Sequence, residues 1–126
     1  MAEIGQHKKL QLFTGRYSDL YVGDHVVVAC GARYAPDQFE AEATIASAGA
    51  DLVAAGGLVG RVVVTHARMA TPTRLKPLAR LADGEGRPIN LAAYALPPLT
   101  PATPRPSVIA VLGSSMNAGK TTTAVS

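Results

Sequence analysis

The chain has 126 residues, enough for one domain and an appendage; 48% are apolar, yet aromatics reach only 5% and Trp is absent, so a core must come from Val, Leu, Ile and Ala. A net charge of +3 from twelve basic and nine acidic residues, with no dense basic window and no aromatic–basic alternation, argues against a nucleic-acid groove and for a solvated surface. The lone cysteine excludes an intrachain disulfide, and without an apolar signal core or a stretch of about eighteen uninterrupted apolar residues the chain is expected to be cytoplasmic, with no membrane partner.

In chain order, Leu10–Phe13 and Tyr17–Val22 flank Thr14-Gly15-Arg16, which has the length and chemistry of a hairpin turn. Gly23-Asp24 separates these from an expected strand at His25–Cys30, in which Cys30 reads as a small buried hydrophobe. Gly31–Pro36 reads as a loop. Arg33, Tyr34, Asp37 and Gln38 either form a polar ligand-binding loop or decorate a surface turn with Tyr34 and Phe39 packed inward. Between Asp37 and Ala55, Phe39, Ala43 and Ala46 fall on one helical face, which suggests a short helix or an irregular loop. Leu58–His66 is β-branched and strand-like. Arg68 and Arg74 follow in a segment that meets either an anion or water, and clustering of Arg33, Arg61, Arg68 and Arg74 would favour a nucleic-acid-binding barrel. Leu75–Leu81 and Pro88–Leu96 enclose Asp83-Gly-Glu-Gly-Arg87, a second hairpin signal. Short strands with Gly-rich turns predict a mainly β domain, a small barrel or sandwich, over residues 1–96.

Five prolines in Pro97–Pro106 remove backbone donors and fix φ, so residues 97–106 are expected to form an extended spacer; a proline-rich recognition segment is the alternative. His7, His25 and His66 are widely separated, and neither they nor Cys30 show zinc-site spacing. No Gly-x-Ser-x-Gly elbow or His-Glu-x-x-His helix occurs. No Asn-Lys-x-Asp guanine-reading motif precedes the tail, which argues against a circularly permuted GTPase.

The tail carries the chemistry. The apolar run Val108–Leu112 is followed by Gly113-Ser-Ser-Met-Asn-Ala-Gly-Lys-Thr-Thr-Thr123, the order strand, small-residue loop, Gly-Lys-Thr, helix start that a phosphate-binding loop requires. In such a loop backbone N–H groups ring the phosphates, a lysine reaches the β/γ oxygens and a Thr hydroxyl ligates Mg²⁺. The spacing G-x-x-x-x-G-K-[ST] puts Ser114 at the first position, with Gly113 one residue too early. The plain alternative is a Gly/Ser/Asn turn that happens to precede a lysine.

Val108–Ala124 resembles the opening of P-loop NTPases of the dethiobiotin-synthetase-like and MinD/ParA-like class. It departs from the MinD/ParA pattern at Ser115, where that subgroup places a second lysine. The resemblance implies an α/β P-loop domain of which residues 107–126 are the truncated start: first strand, phosphate loop and beginning of a helix. It implies phosphate binding by Ser114, Ser115, Met116, Asn117, Ala118, Gly119, Lys120, Thr121 and Thr122, with Mg²⁺ on Thr121 and ATP or GTP as the nucleotide. Hydrolysis or phosphoryl transfer would belong to the intact domain, and the 126 residues alone are expected to be inactive. The other reading is a β-barrel that binds a ligand or partner and carries an incidental tail. Homo-oligomerisation stays open.

Overall fold

The computed structural model describes residues 1–98, 107–114 and 116–125. The expected spacer at 97–106 therefore lies almost wholly outside the described residues. The chain divides into two compact units, Met1–Pro77 with Ser114–Ala118, and Leu78–Gly113 with Gly119–Ser126.

The first unit is mainly β. Strands β1 (Lys9–Gln11) and β2 (Tyr17–Asp19) form the expected hairpin, with Leu10 opposite Ser18 and Gly15 at φ +81° in the turn. That left-handed backbone is one glycine adopts without a steric penalty. The remaining strands are β3 (Ala29–Cys30), β4 (Arg33–Tyr34), β5 (Phe39–Glu42), β6 (Ala50–Ala54), β7 (Leu58–Thr65) and β8 (Thr73–Leu75). They form one sheet in the order β4-β5-β7-β6-β8; β3 runs parallel to β7 and the other pairings are antiparallel.

No closed barrel forms among the described residues, which corrects the barrel expectation. The sheet is an open path: β4 lies at one end, and at the other β8 is extended only by a single bridge from Glu3 to Arg74. Two-residue strands such as β3 and β4 are too short to carry a ladder around a cylinder.

Strand β7 organises the sheet because one of its edges serves two strands. Leu58 and Val59 pair with β3, and from Arg61 onward the same edge pairs with β5. Gly60 lies at the handover, where a Cβ would come within 2.5 Å of the Glu42 carbonyl and 3.1 Å of that of Gly31. The β-branched run Val62–Val64 favours the extended backbone that this role needs.

Residues 39–55 hold β5 and β6 rather than a helix. Phe39 and Ala41 are buried while Glu40 and Glu42 are exposed, the two-residue alternation of a strand with one face covered. In β6, Leu52 and Val53 are successive and both buried, so this strand is covered on both faces. Leu20, Ala50, Leu52, Val59 and Leu75 form one core cluster, against which Ile4, Leu10 and Val28 pack. Phe39, fully buried, meets the His7 ring edge-on at 5.9 Å.

Buried polar groups tie the strands together. Asp51 Oδ1 accepts from Arg74 Nη1 at 2.7 Å and Oδ2 from the Val62 amide at 2.9 Å, so one carboxylate joins β6, β7 and β8. Thr73 donates to the His7 carbonyl at 2.6 Å and accepts from the Gly5 amide at 2.9 Å, fastening the N-terminal segment to β8.

Two inward placements are corrected. Cys30 is exposed, because in the short β3 it follows the half-buried Ala29 and points to the opposite face. Tyr34 alternates with the half-buried Arg33 in the same way and is exposed, whereas Phe39 does pack inward.

In the second unit, Asp83–Arg87 closes the expected turn around a bridge between Ala82 and Pro88. Asp83 Oδ1 accepts from the amides of Glu85 and Arg87, and Oδ2 from Arg87 Nε at 2.8 Å. The flanking residues do not extend into long strands: β8 ends at Leu75 and Leu91–Tyr94 is a single 3₁₀ turn. The unit also holds helix α1 (Lys120–Val125). Val108–Leu112 is not a strand, contrary to expectation, and Val108, Ile109 and Leu112 are exposed. A run destined for a parallel sheet needs strand neighbours on both edges, and no described residue pairs with it.

Candidate phosphate-binding loop

The loop begins at Gly113 and ends where α1 starts, at Lys120. Asn117 has φ +63° and Gly119 φ +77°, two left-handed residues on either side of Ala118, whose φ is not positive. Asn is the non-glycine residue that tolerates this conformation best.

Gly119 opens the helix. Its carbonyl accepts from the Thr123 amide at 3.0 Å, the first helical hydrogen bond, and from Thr123 Oγ1 at 3.2 Å. Lys120, half-buried, and Thr121, Thr122 and Thr123, exposed, follow in the first turn. Of the sequence-assigned residues, Ser114, Met116, Asn117, Ala118, Gly119, Lys120, Thr121 and Thr122 are described, and Ser115 lies outside the described residues. The Nδ2 amide of Asn117 donates to Asp37 Oδ2 on the turn between β4 and β5, a contact that neither local sequence discloses.

The donor set can be tested against the implied Mg²⁺ and nucleotide. Thr121 supplies one hard oxygen in the first turn of α1, as a magnesium ion held mainly by phosphate and water oxygens requires. Among the described residues no three His, Cys, Asp or Glu side chains converge on a metal position, so a cation here would draw its other ligands from the nucleotide and solvent. The residues fit a phosphate-bound Mg²⁺ and do not form a metal cage of their own.

The other polar sites are occupied by internal contacts. Arg33 donates to the Val53 carbonyl through Nη1 and to Gln38 Oε1 at 2.8 Å through Nη2, which spends the proposed ligand-binding pair on holding the turn. Arg61 pairs with Glu42 at 2.5 Å and Arg74 with Asp51 at 2.7 Å. Three of the four arginines that would have marked a nucleic-acid surface are thus engaged within the sheet. A shallow groove of about 400 Å³, lined by Gln6, His7, Lys8, Lys9, Tyr17 and Ala55, lies along the N-terminal segment, and its Lys9 pairs with Asp19 at 3.6 Å.

His7 borders this groove with Nε2 3.1 Å from the Val53 carbonyl. Burial lowers its pKa, the carbonyl opposes the shift, and the Arg33 guanidinium adds to it. Among the described residues no helix is long and apolar enough to cross a membrane. The chain matches no known protein family, no curated protein and no solved structure.

Proposed function

We propose that this chain belongs to a nucleoside-triphosphate-binding P-loop protein in which residues 114–122 cradle the phosphates. The observation that carries the reading is the helix that starts at Lys120, directly behind the left-handed Gly119 and in register with Gly-Lys-Thr-Thr. Backbone amides of the loop would face the phosphates, Lys120 would reach the β/γ oxygens, and Thr121 would share Mg²⁺ with the nucleotide. Bound Mg²⁺ supplies neutralisation of phosphate charge.

Phosphoryl transfer or hydrolysis further requires a second metal-anchoring carboxylate and a positioned nucleophile. In the proposed domain Val108–Leu112 becomes a strand among parallel neighbours that the described residues do not contribute. Residues 1–126 are therefore expected to bind Mg-ATP or Mg-GTP at most weakly and to hydrolyse neither.

Calorimetric titration of the intact P-loop protein with both nucleotides in Mg²⁺ buffer tests this. Lys120→Ala should weaken binding about tenfold or more, equivalent to ~1.4 kcal/mol or more. Absence of saturable binding, or an affinity unchanged by the substitution, overturns the reading.

A further inference from the structure

The groove of about 400 Å³ is lined by Gln6, His7, Lys8, Lys9, Tyr17 and Ala55, all within Met1–Pro77 of the first compact unit. Its volume falls within the range of about 300–1,000 Å³ typical of small-molecule sites. Several contacts fix its frame. The Lys8 carbonyl accepts from the buried Leu20 amide at 2.9 Å, and the Gln11 amide donates to the Ala55 carbonyl at 2.8 Å. Lys9 and Gln11 pair with Asp19 and Tyr17 across the hairpin. The Val53 carbonyl, 3.1 Å from Nε2, and the edge-on contact with Phe39 hold the His7 ring.

The chemistry of this lining is one-sided. Lys8 and Lys9 bring two ammonium charges, Gln6 a carboxamide, His7 an imidazole and Tyr17 a phenol, and none of the six residues is acidic. Lys8 takes part in none of the ion pairs among the described residues. Lys9 meets Asp19 at 3.6 Å with both side chains more than half exposed, a contact worth little in water, so most of the positive charge stays uncompensated. Lysine ammonium groups are compact point charges that suit a phosphate, whereas the arginine fork matches a planar carboxylate best, and no arginine lines the groove. Tyr17, 59% exposed, adds an aromatic surface beside the charges. We infer that this groove binds a small phosphate monoester, with Lys8 and Lys9 holding the dianion and Tyr17 covering the organic part. The site is independent of the phosphate-loop reading of residues 114–122.

The test follows the backbone amides of Lys8 and Lys9 and the ring resonances of His7 and Tyr17 by nuclear magnetic resonance. Phenyl phosphate, inorganic phosphate or acetate is added to wild type, Lys8→Gln/Lys9→Gln and Lys120→Ala at constant ionic strength, which keeps screening from imitating binding. Phenyl phosphate should shift all four residues along one saturable curve. Inorganic phosphate should move Lys8, Lys9 and His7 more weakly and leave the Tyr17 ring unmoved, and acetate should give no saturable shift. The double substitution removes two exposed charge contacts and should weaken phenyl phosphate binding about tenfold, while Lys120→Ala should leave it unchanged. Unmoved groove resonances, or equal affinity in the double variant, overturn the site. Equal saturation by acetate overturns the phosphate assignment, and a Tyr17 ring unmoved by phenyl phosphate overturns the aromatic cover. Loss of the shifts in Lys120→Ala assigns them to the phosphate loop and overturns a separate groove site.

Discussion

His7 shows how a single titratable side chain writes a pH dependence into the fold. Its ring is half-buried, stacked edge-on against Phe39 and close to the Arg33 guanidinium, so the charged form is disfavoured in the folded state. With the folded pKa below the unfolded one, the unfolded chain takes up the proton first as pH falls. The stabilisation is complete above the unfolded value, about 6.5, and is lost as pH drops through that value toward the folded one. Chemical denaturation between pH 7.5 and 5 should show the midpoint falling with pH. His7→Gln, which keeps a donor for the Val53 carbonyl and cannot titrate, should flatten that slope; an identical slope in the variant would assign the dependence elsewhere.

Strands β6, β7 and β8 depend on Asp51. An acid inside the run Ala50–Ala54 has to find partners, because a buried carboxylate without them is costly. Arg74 and the Val62 amide supply them, and the second bond occupies an edge of β7 just beyond its pairing with β6. Asp51→Ala leaves a part-buried N–H and a half-exposed guanidinium without their acceptor, and should lower stability by about 1–2 kcal/mol in urea unfolding. Asp51→Asn, which retains one acceptor oxygen, should cost less. Equal stability of Asp51→Ala and wild type would show that the clasp is dispensable. Sequence reading found β7 and the β1–β2 hairpin, where β-branched runs and a Thr-Gly-Arg turn are unambiguous local signals. It missed β5, because Phe39, Ala43 and Ala46 share one helical face while Phe39, Ala41 and Ala43 share one strand face, so the apolar residues suit either period. The alternation of Phe39 and Ala41 with Glu40 and Glu42 was the available clue, and its burial depends on β7 lying alongside.

At the scale of the whole chain, the proline run at 97–106 predicts a protease-sensitive division between the β-rich part and the tail. Brief digestion with a broad-specificity protease should cut between Pro97 and Ser107 and release a fragment with β-type circular dichroism; a mainly helical spectrum would contradict the β assignment. The β class, the position of the Gly-Lys-Thr motif and the helix onset beside it were legible from local chemistry, since turn residues, β-branched runs and loop spacing act over a few neighbouring residues. Strand order, the double use of one β7 edge around Gly60, the Asp51 clasp and the meeting of Asp37 with Asn117 were not. Each is a pairing between distant segments, and local propensity carries no information about which distant partner a strand edge or a polar side chain will find. The same reason governs Val108–Leu112: its apolar, β-branched composition makes it able to be a strand, but only flanking strands that complete its hydrogen bonds make it one.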